Sequence, residues 1–159
     1  HAMILVFGDT VRASKAFDRL MPKTTQRIVL VDTFRDEVEE SVRVAGEMGD
    51  TLWGVRLDTP SERGGVTVDL VTRTRAELDA RGHPGVKILV SGGFNEAKIR
   101  LFVDAGCPVD GFGVGSAISG ARPVDFTADL KEIEGRAVSK RGRKPGRSKG
   151  SDRLRPVHP

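Results

Sequence analysis

Short apolar runs recur along the chain at a nearly regular interval, and this recurrence limits the possible folds more than any other feature. The runs start roughly 25 residues apart, with one longer step of about 35, and lie at Met3–Phe7, Ile28–Val31, Leu52–Leu57, Ile88–Val90 and Gly111–Val114. Each run is apolar throughout instead of alternating with polar residues, which is typical of parallel strands buried on both faces. The pattern therefore predicts five parallel strands.

Amphipathic helical patterns separate these runs. The helical faces comprise Val38, Val42 and Ala45, then Leu70, Thr74 and Leu78, then Ile99, Phe102 and Val103. Thr67 and Asn95 are placed as N-caps, and Gly82 and Gly106 as C-terminal stops. Regular strand–helix alternation predicts a parallel α/β fold. Five strands with four helices make about half of an eight-stranded barrel, and an open half would leave bare edges. The sequence thus predicts either a small doubly wound sheet or the C-terminal part of a larger β/α barrel.

The pattern changes after Ser116. Phe126–Ile133 and Arg136–Lys140 predict a β-hairpin with an acidic and a basic arm, joined by a turn at Glu134-Gly135. From Gly142 onward the composition lacks a core, so an extended or flexible tail is expected. These observations divide the chain into a partial barrel over residues 1–120, a hairpin extension over 121–141 and a basic tail over 142–159.

Composition and charge narrow the class of protein. Cys107 is the single cysteine, which excludes an internal disulfide and a cysteine-rich zinc site. No apolar run approaches twenty residues and no signal peptide is visible, so a cytoplasmic protein with no membrane association is expected. Residues 136–159 carry nine Lys or Arg residues and one acid, so the rest of the chain is net acidic despite an overall charge of +4. The basic character belongs to the tail and favours nucleic-acid binding only weakly.

Two glycine-rich turns follow neighbouring apolar runs. Ser91, Gly92 and Gly93 form the first, and Gly113, Gly115 and Ser116 belong to the second, about twenty residues later. Glycine lets the backbone approach an anion closely, while free N–H groups and a serine hydroxyl supply donors. Either turn alone could be only a tight turn. Two on consecutive strands are typical of the phosphate clamp of a β/α barrel.

Polar residues at the predicted strand ends are candidates for the remaining chemistry. Arg56 and Asp58 are separated by two, so along a strand both side chains point to the same face. They could hold an anionic group and a sugar hydroxyl, or form a mutual salt bridge that closes the barrel end. Asp32 could act in a site or cap the following helix. His1 has no role that the sequence alone supports.

Taken in order, these motifs resemble those of nicotinate phosphoribosyltransferases, above all the shorter archaeal-type and bacterial members. The motifs are His1-Ala-Met-Ile-Leu-Val-Phe-Gly-Asp9, Val31-Asp-Thr-Phe34, Gly54-Val-Arg-Leu-Asp-Thr59, Val90-Ser-Gly-Gly93 and Gly113-Val-Gly-Ser116. The likeness covers nearly the whole chain, into the basic tail. Family members are considerably longer, so the chain resembles a C-terminal fragment that contains part of a type II phosphoribosyltransferase β/α barrel.

The resemblance implies that nicotinate and phosphoribosyl pyrophosphate give nicotinate mononucleotide and pyrophosphate, with ATP hydrolysis and Mg²⁺, in NAD biosynthesis. The reaction is a glycosyl transfer that is classed as a ligation because ATP is consumed. The resemblance also implies a role for each site residue. His1 would lie beside the pyrophosphate and be phosphorylated by ATP, Asp32 would lie near the ribose and Mg²⁺, and Arg56 would contact the pyrophosphate and the base region. Asp58 would bind the ribose hydroxyls, and the turns at Ser91–Gly93 and Gly113–Ser116 would surround the 5′-phosphate.

Further expectations follow from the resemblance. The full-length protein is expected to form a homo-oligomer, and the isolated chain is expected to be inactive. Two alternatives stay open: a phosphoribosyltransferase that uses nicotinamide or quinolinate, and a non-catalytic module that binds phosphate or nucleic acid. The basic tail lacks the aromatic residues that stack on bases, which argues against specific binding of single-stranded nucleic acid.

Overall fold

A computed structural model describes residues 1–124 and 128–146 of the chain. The chain divides into two units, His1–Ala121 and Arg122–Pro159. In the first unit, four parallel strands form one sheet in chain order. They are β1 Ile28–Leu30, β2 Gly54–Leu57, β3 Lys87–Val90 and β4 Gly111–Phe112. The parallel α/β architecture predicted from the sequence is confirmed.

Helices connect and flank these strands, and capping side chains fix where they begin. The helices are α1 Ala2–Phe7, α2 Thr10–Leu20, α3 Glu37–Met48, α4 Val68–Ala80, α5 Glu96–Asp104 and α6 Ser116–Ser119, with short 3₁₀ turns at Gly49–Thr51 and Ser61–Arg63. Thr67 accepts a hydrogen bond from the Leu70 amide and Asn95 accepts one from the Lys98 amide, as predicted. Asp36 caps α3 in the same way. The boundaries of α3, α4 and α5 therefore follow from local sequence.

The prediction of a strand at Met3–Phe7 is wrong, because these residues lie in α1. Gly8 ends the helix with a φ of 69° and donates its N–H to the Leu5 carbonyl. Asp9 then begins α2 by accepting a hydrogen bond from the Arg12 amide at 2.9 Å. A short apolar run fits a helix as well as a buried strand, and the caps that follow it decide between them. The sheet of the first unit consequently has four described strands, and His1 stands at the start of a helix.

The two faces of the sheet differ. Val55, Ile88 and Val90 are fully buried and belong to one core with residues of α3, α4 and α5. Strand side chains alternate between faces, so Ile28 and Leu89 point the other way. They line an open cavity of about 330 Å³, together with His1, Arg56 and residues of α1 and α2. One face of the sheet is thus packed against helices, while the other remains accessible.

An ion-pair network centred on a buried glutamate of α3 reaches the corner between α1 and α2. The Glu40 side chain is fully buried and binds Arg43 through both carboxylate oxygens, at 2.8 and 2.9 Å. Arg43 also contacts Asp9 at 2.7 Å, the residue that caps α2. Arg35 approaches Glu40 at 3.5 Å. The network fixes the start of α2, and with it the helix that carries His1, against α3.

The second unit contains the predicted β-hairpin. Its strands, β5 Glu132–Ile133 and β6 Arg136–Ala137, pair antiparallel and are shorter than the predicted arms. Glu134 and Gly135 connect them with φ values of 48° and 78°, the left-handed pair that tight two-residue hairpins require. Residues 125–127 and 147–159 lie outside the described residues, so most of the predicted tail over 142–159 does too. Within the described ranges, no helix is both long and apolar enough to cross a bilayer.

Candidate functional site

The carboxyl ends of β1, β2 and β3 meet at one edge of the sheet, where predicted site residues come together. Asp32 follows β1, Asp58 follows β2 and Ser91 follows β3. Parallel strands end at the same edge, and side chains there are placed to share a ligand. His1 joins them from the start of α1, and Arg56 from within β2. We call these five residues the strand-end cluster.

His1 bridges the two carboxylates of the strand-end cluster. Its Nε2 lies 3.4 Å from Asp58 Oδ2 and 3.5 Å from Asp32 Oδ2. Its Nδ1 lies 3.0 Å from Thr33 Oγ1, on the residue next to Asp32. About a third of the His1 side chain is exposed. The imidazole is therefore oriented by three groups and still open to a ligand.

Asp58 occupies the centre of the cluster. Its Oδ1 accepts a hydrogen bond of 2.7 Å from the Ser91 hydroxyl, and Arg56 approaches its Oδ2 at 3.8 Å. The shared face predicted for Arg56 and Asp58 is confirmed by this contact. The mutual ion pair considered as an alternative is thus present, although it is long and partly exposed. The buried Arg56 Nε has no hydrogen-bond partner among the described residues.

Asp32 is the buried acid of the cluster. Only 3% of its side chain is exposed, and its Oδ1 has no hydrogen-bond partner in the described part of the chain. Burial raises the pKa of Asp32 to about 6, and the nearby carboxylates of Asp58 and Glu37 add to the rise, while its own backbone N–H opposes it. Asp36, not Asp32, caps α3, so the alternative of Asp32 as a helix cap is wrong. A partner for Asp32 Oδ1 would have to come from a bound ligand or from residues outside the described ranges.

The first glycine-rich turn passes directly beneath Asp58. Gly92 has a φ of 91°, and a Cβ built on it would lie 3.2 Å from Asp58 Oδ1. Gly93 also has a positive φ, and its backbone borders open space. Phe94 then anchors the turn, since its ring is buried and packs at 5.1 Å from Phe102 and 5.5 Å from Phe112. Glycine at 92 is required for both backbone conformation and close approach.

The second turn lies against the first. The Gly113 amide donates to the Val90 carbonyl at 2.7 Å, and a Cβ on Gly113 would lie 3.0 Å from the Ser91 Cβ. Gly115 precedes α6, has a negative φ and has nothing within 4 Å of a Cβ position, and Ser116 begins that helix. The structure therefore brings the two predicted turns together at one edge of the sheet. Close packing against Ser91 requires glycine at position 113, whereas no neighbour requires it at position 115 in the free protein.

Three residues of the site were not predicted from the sequence. Thr33 and Thr59 each follow a strand-end aspartate, so the repeated Asp-Thr dipeptide was an available signal. Thr33 lies against His1, whereas Thr59 donates to the buried Glu37 at 2.7 Å. Nothing in the sequence marks Glu37 as a site residue, because acidic residues are common in the first turn of a helix. Only the folded structure reveals that its side chain is buried. Among the described residues, no group of three or more His, Cys, Asp or Glu side chains is arranged to hold a metal ion by itself.

Comparisons with known proteins identify the family to which the chain belongs. The family described as quinolinate phosphoribosyl transferase, C-terminal domain, matches residues 1–129. A nicotinate phosphoribosyltransferase of Mycobacterium tuberculosis, pncB2, is 36% identical over 120 residues, which are 74% of this chain and 25% of the relative. A nicotinate phosphoribosyltransferase of Bacillus subtilis is 28% identical over 120 residues, 74% of this chain and 24% of the relative. The chain thus spans about a quarter of the length of these curated relatives.

A solved structure shares both fold and sequence. The crystal structure of nicotinate-nucleotide pyrophosphorylase from Pyrococcus furiosus matches with a TM-score of 0.74 and 49% sequence identity. The match covers 92% of this chain and 37% of that one. The predicted resemblance and the prediction of a partial phosphoribosyltransferase barrel are both confirmed, and the doubly wound alternative is set aside.

Proposed function

Because the chain belongs to the family of quinolinate phosphoribosyl transferase C-terminal domains, we propose that it supplies part of the active site of a phosphoribosyltransferase in NAD metabolism. The proposed reaction converts nicotinate and phosphoribosyl pyrophosphate into nicotinate mononucleotide and pyrophosphate, coupled to hydrolysis of ATP to ADP and phosphate. The hydrogen bond of 2.7 Å between Ser91 and Asp58 carries the proposal. This bond joins a carboxylate that suits sugar hydroxyls to a turn that suits phosphate. The two groups therefore match the two ends of a single ribose 5-phosphate.

The proposed roles follow from these positions. Asp58 accepts hydrogen bonds from the ribose hydroxyls. The turns at Ser91–Gly93 and Gly113–Ser116 hold the 5′-phosphate through backbone N–H groups and serine hydroxyls. Arg56 projects beside Asp58 and binds the pyrophosphate, since its side chain is partly exposed and its contact with Asp58 is long. Holding both ends of the sugar phosphate converts binding energy into orientation of the reacting carbon.

Charge development at the sugar explains the two carboxylates. The base nitrogen bonds to C1 as the bond from C1 to the pyrophosphate oxygen breaks, and the electron pair leaves with the pyrophosphate. Positive charge accumulates on the ring in the transition state, as it does in glycoside hydrolysis. Asp32 and Asp58 face this charge from fixed positions, so stabilising it needs no reorganisation. We assign His1, held between them, to the side of the leaving group and propose it as the residue that ATP phosphorylates.

The residues fit Mg²⁺ in the mode that phosphate-transferring enzymes use. Mg²⁺ is usually held by one or two carboxylates together with substrate phosphates instead of a cage of protein ligands. Asp32 offers a buried Oδ1 that has no partner in the described ranges, while no larger ligand cluster is present there. When bound, the ion neutralises negative charge on the pyrophosphate.

Quinolinate is the second candidate substrate. The description of the matching family supports it, whereas the names of the Mycobacterium and Bacillus relatives support nicotinate. Both reactions use the same ribose phosphate, so the strand-end cluster serves either one.

The test uses the natural full-length polypeptide with phosphoribosyl pyrophosphate and either nicotinate, nicotinamide or quinolinate, each with and without ATP. Formation of nicotinate mononucleotide from nicotinate, stimulated by ATP, is expected. Turnover of quinolinate alone would assign the second candidate. Absence of turnover with retained binding of ribose 5-phosphate would point to a non-catalytic phosphate-binding module. Residues 1–159 alone are expected to give no turnover.

A further inference from the structure

Glu37 and Thr59 meet in the interior behind the strand-end cluster. The Thr59 hydroxyl donates a hydrogen bond of 2.7 Å to Glu37 Oε1, and the two residues are 5% and 2% exposed. Arg63 approaches the other Glu37 oxygen only at 4.0 Å, with more than half of its own side chain exposed. Burying a carboxylate with such partial pairing is costly, and an apolar pair of the same shape would cost less.

Thr59 is the residue after Asp58, and the two side chains point in opposite directions. Asp58 reaches Ser91 at 2.7 Å and His1 at 3.4 Å, whereas Thr59 reaches Glu37. The Thr59 carbonyl also lies 3.5 Å from the place a Cβ on Gly92 would occupy. The backbone of residues 58 and 59 is therefore held by the glycine turn on one side and by α3 on the other.

We propose that Glu37 and Thr59 form a positioning pair that fixes Asp58 for catalysis, an inference that rests on the phosphoribosyl transfer proposed above. Glu37 stands in the first turn of α3, where the helix favours a negative charge, so its carboxylate provides a fixed acceptor. Without this anchor the loop after β2 can drift, and a small displacement of a catalytic group is enough to lower the rate of the chemical step.

Thr59→Val in the natural full-length polypeptide is the main test, since it removes the hydroxyl and keeps the shape. We expect kcat to fall roughly 10- to 100-fold, with KM for phosphoribosyl pyrophosphate changed much less. Thr59→Ser restores the hydroxyl and should recover most of the loss. Thr74→Val is the matched control, because Thr74 is equally buried and its hydroxyl binds the Leu70 carbonyl within α4. Its kcat should match that of the wild type.

Glu37→Gln provides a second variant in case Thr59→Val fails to fold. It keeps an acceptor for Thr59 but exchanges a charged hydrogen bond for a neutral one, so kcat should fall about 5-fold. Combining it with Thr59→Val should cost no more than Thr59→Val alone, because both changes act on the same hydrogen bond, which Thr59→Val already removes. An unchanged kcat in folded Thr59→Val or Glu37→Gln overturns the proposal.

An NMR comparison of the 159-residue chain separates this inference from the proposed function. Amide resonances of Asp58 and of Ser91–Gly93 should shift in Thr59→Val and stay in place in Thr74→Val. Lack of turnover in the wild-type full-length polypeptide would refute the proposed function, whereas these resonances would still decide whether Glu37 and Thr59 position Asp58. Unshifted resonances in Thr59→Val overturn the positioning role.

Discussion

Gly113 lies so close to Ser91 that a Cβ on Gly113 would come within 3.0 Å of the Ser91 Cβ. Ser91 cannot retreat without lengthening its hydrogen bond of 2.7 Å to Asp58. The second turn, the first turn and the central carboxylate therefore form one packed unit. Changes in either turn should affect the binding of a sugar phosphate as a whole.

Gly115→Val should weaken binding of nicotinate mononucleotide to the full-length polypeptide by at least about tenfold, because the branched side chain takes the space that the phosphate needs. Gly115 has a negative φ and a Cβ placed there meets nothing within 4 Å, so a side chain has room to start in the free protein. Isothermal titration measures the loss. Gly92→Val should also abolish tight binding, but it strains a φ of 91° and must be checked for folding.

Gly85→Val is the control for these glycine variants. Gly85 precedes β3, at the opposite edge of the sheet, and a Cβ there meets nothing within 4 Å. The Gly85→Val protein should bind nicotinate mononucleotide with the same affinity as the wild type. If folded Gly115→Val binds as well as the control does, the second turn does not contact phosphate.

Asp58→Ala should lower kcat/KM for phosphoribosyl pyrophosphate roughly 10²- to 10³-fold, the range for removing one preorganised stabilising group. Thermal stability should fall much less than activity, because the lost Arg56 contact is long and partly exposed and the loss of the hydrogen bond from Ser91 costs only about 1 to 3 kcal/mol. Steady-state kinetics and thermal melts of the full-length polypeptide measure the two effects. A tenfold or smaller kinetic loss combined with strong destabilisation would make Asp58 a structural residue.

Asp32→Asn should stabilise the chain at neutral pH. The folded pKa of about 6 exceeds the ordinary value of 3.8, so the folded state binds this proton more tightly than the unfolded state does. Ionisation therefore costs stability as the pH rises between these values, by at most about 3 kcal/mol above pH 6. Urea denaturation without divalent cations measures the free energy of unfolding of both proteins. The difference between them should shrink as the pH falls toward 4. A difference in unfolding free energy that does not depend on pH would contradict the raised pKa of Asp32.

Arg43→Met should destabilise the chain by on the order of 3 kcal/mol, because it leaves the fully buried Glu40 without its bidentate partner. Urea denaturation at neutral pH measures the effect. Lys15→Met is the matched control, since Lys15 forms an exposed ion pair with Glu47, and its variant should unfold like the wild type. Equal stability of the two variants would show that Arg35 alone compensates Glu40.

The sequence was most informative where a local pattern determines structure. Caps at Thr67 and Asn95, the turn at Glu134-Gly135 and the shared face of Arg56 and Asp58 each depend on neighbouring residues. The strand predicted at Met3–Phe7 is wrong because a short apolar run fits a helix and a strand equally well.

Contacts between distant parts of the chain cannot be predicted from local sequence patterns. Glu37 meets Thr59 across 22 positions, and the burial that makes this contact notable exists only in the folded sheet. His1 reaches Asp58 across 57 positions, from the start of a helix that Gly8 ends. Such pairings depend on how elements pack, which periodicity does not encode.

The alternation of side chains along β2 sets a limit on insertions and deletions in this part of the chain. Val55, Leu57 and Thr59 are buried, while Arg56 and Asp58 face the site. Gaining or losing a single residue would exchange the two sets, placing charges in the core and apolar groups at the ligand. Natural variants should therefore keep the length of the segment from β2 to Thr59, and length changes should collect in the loop beyond Pro60.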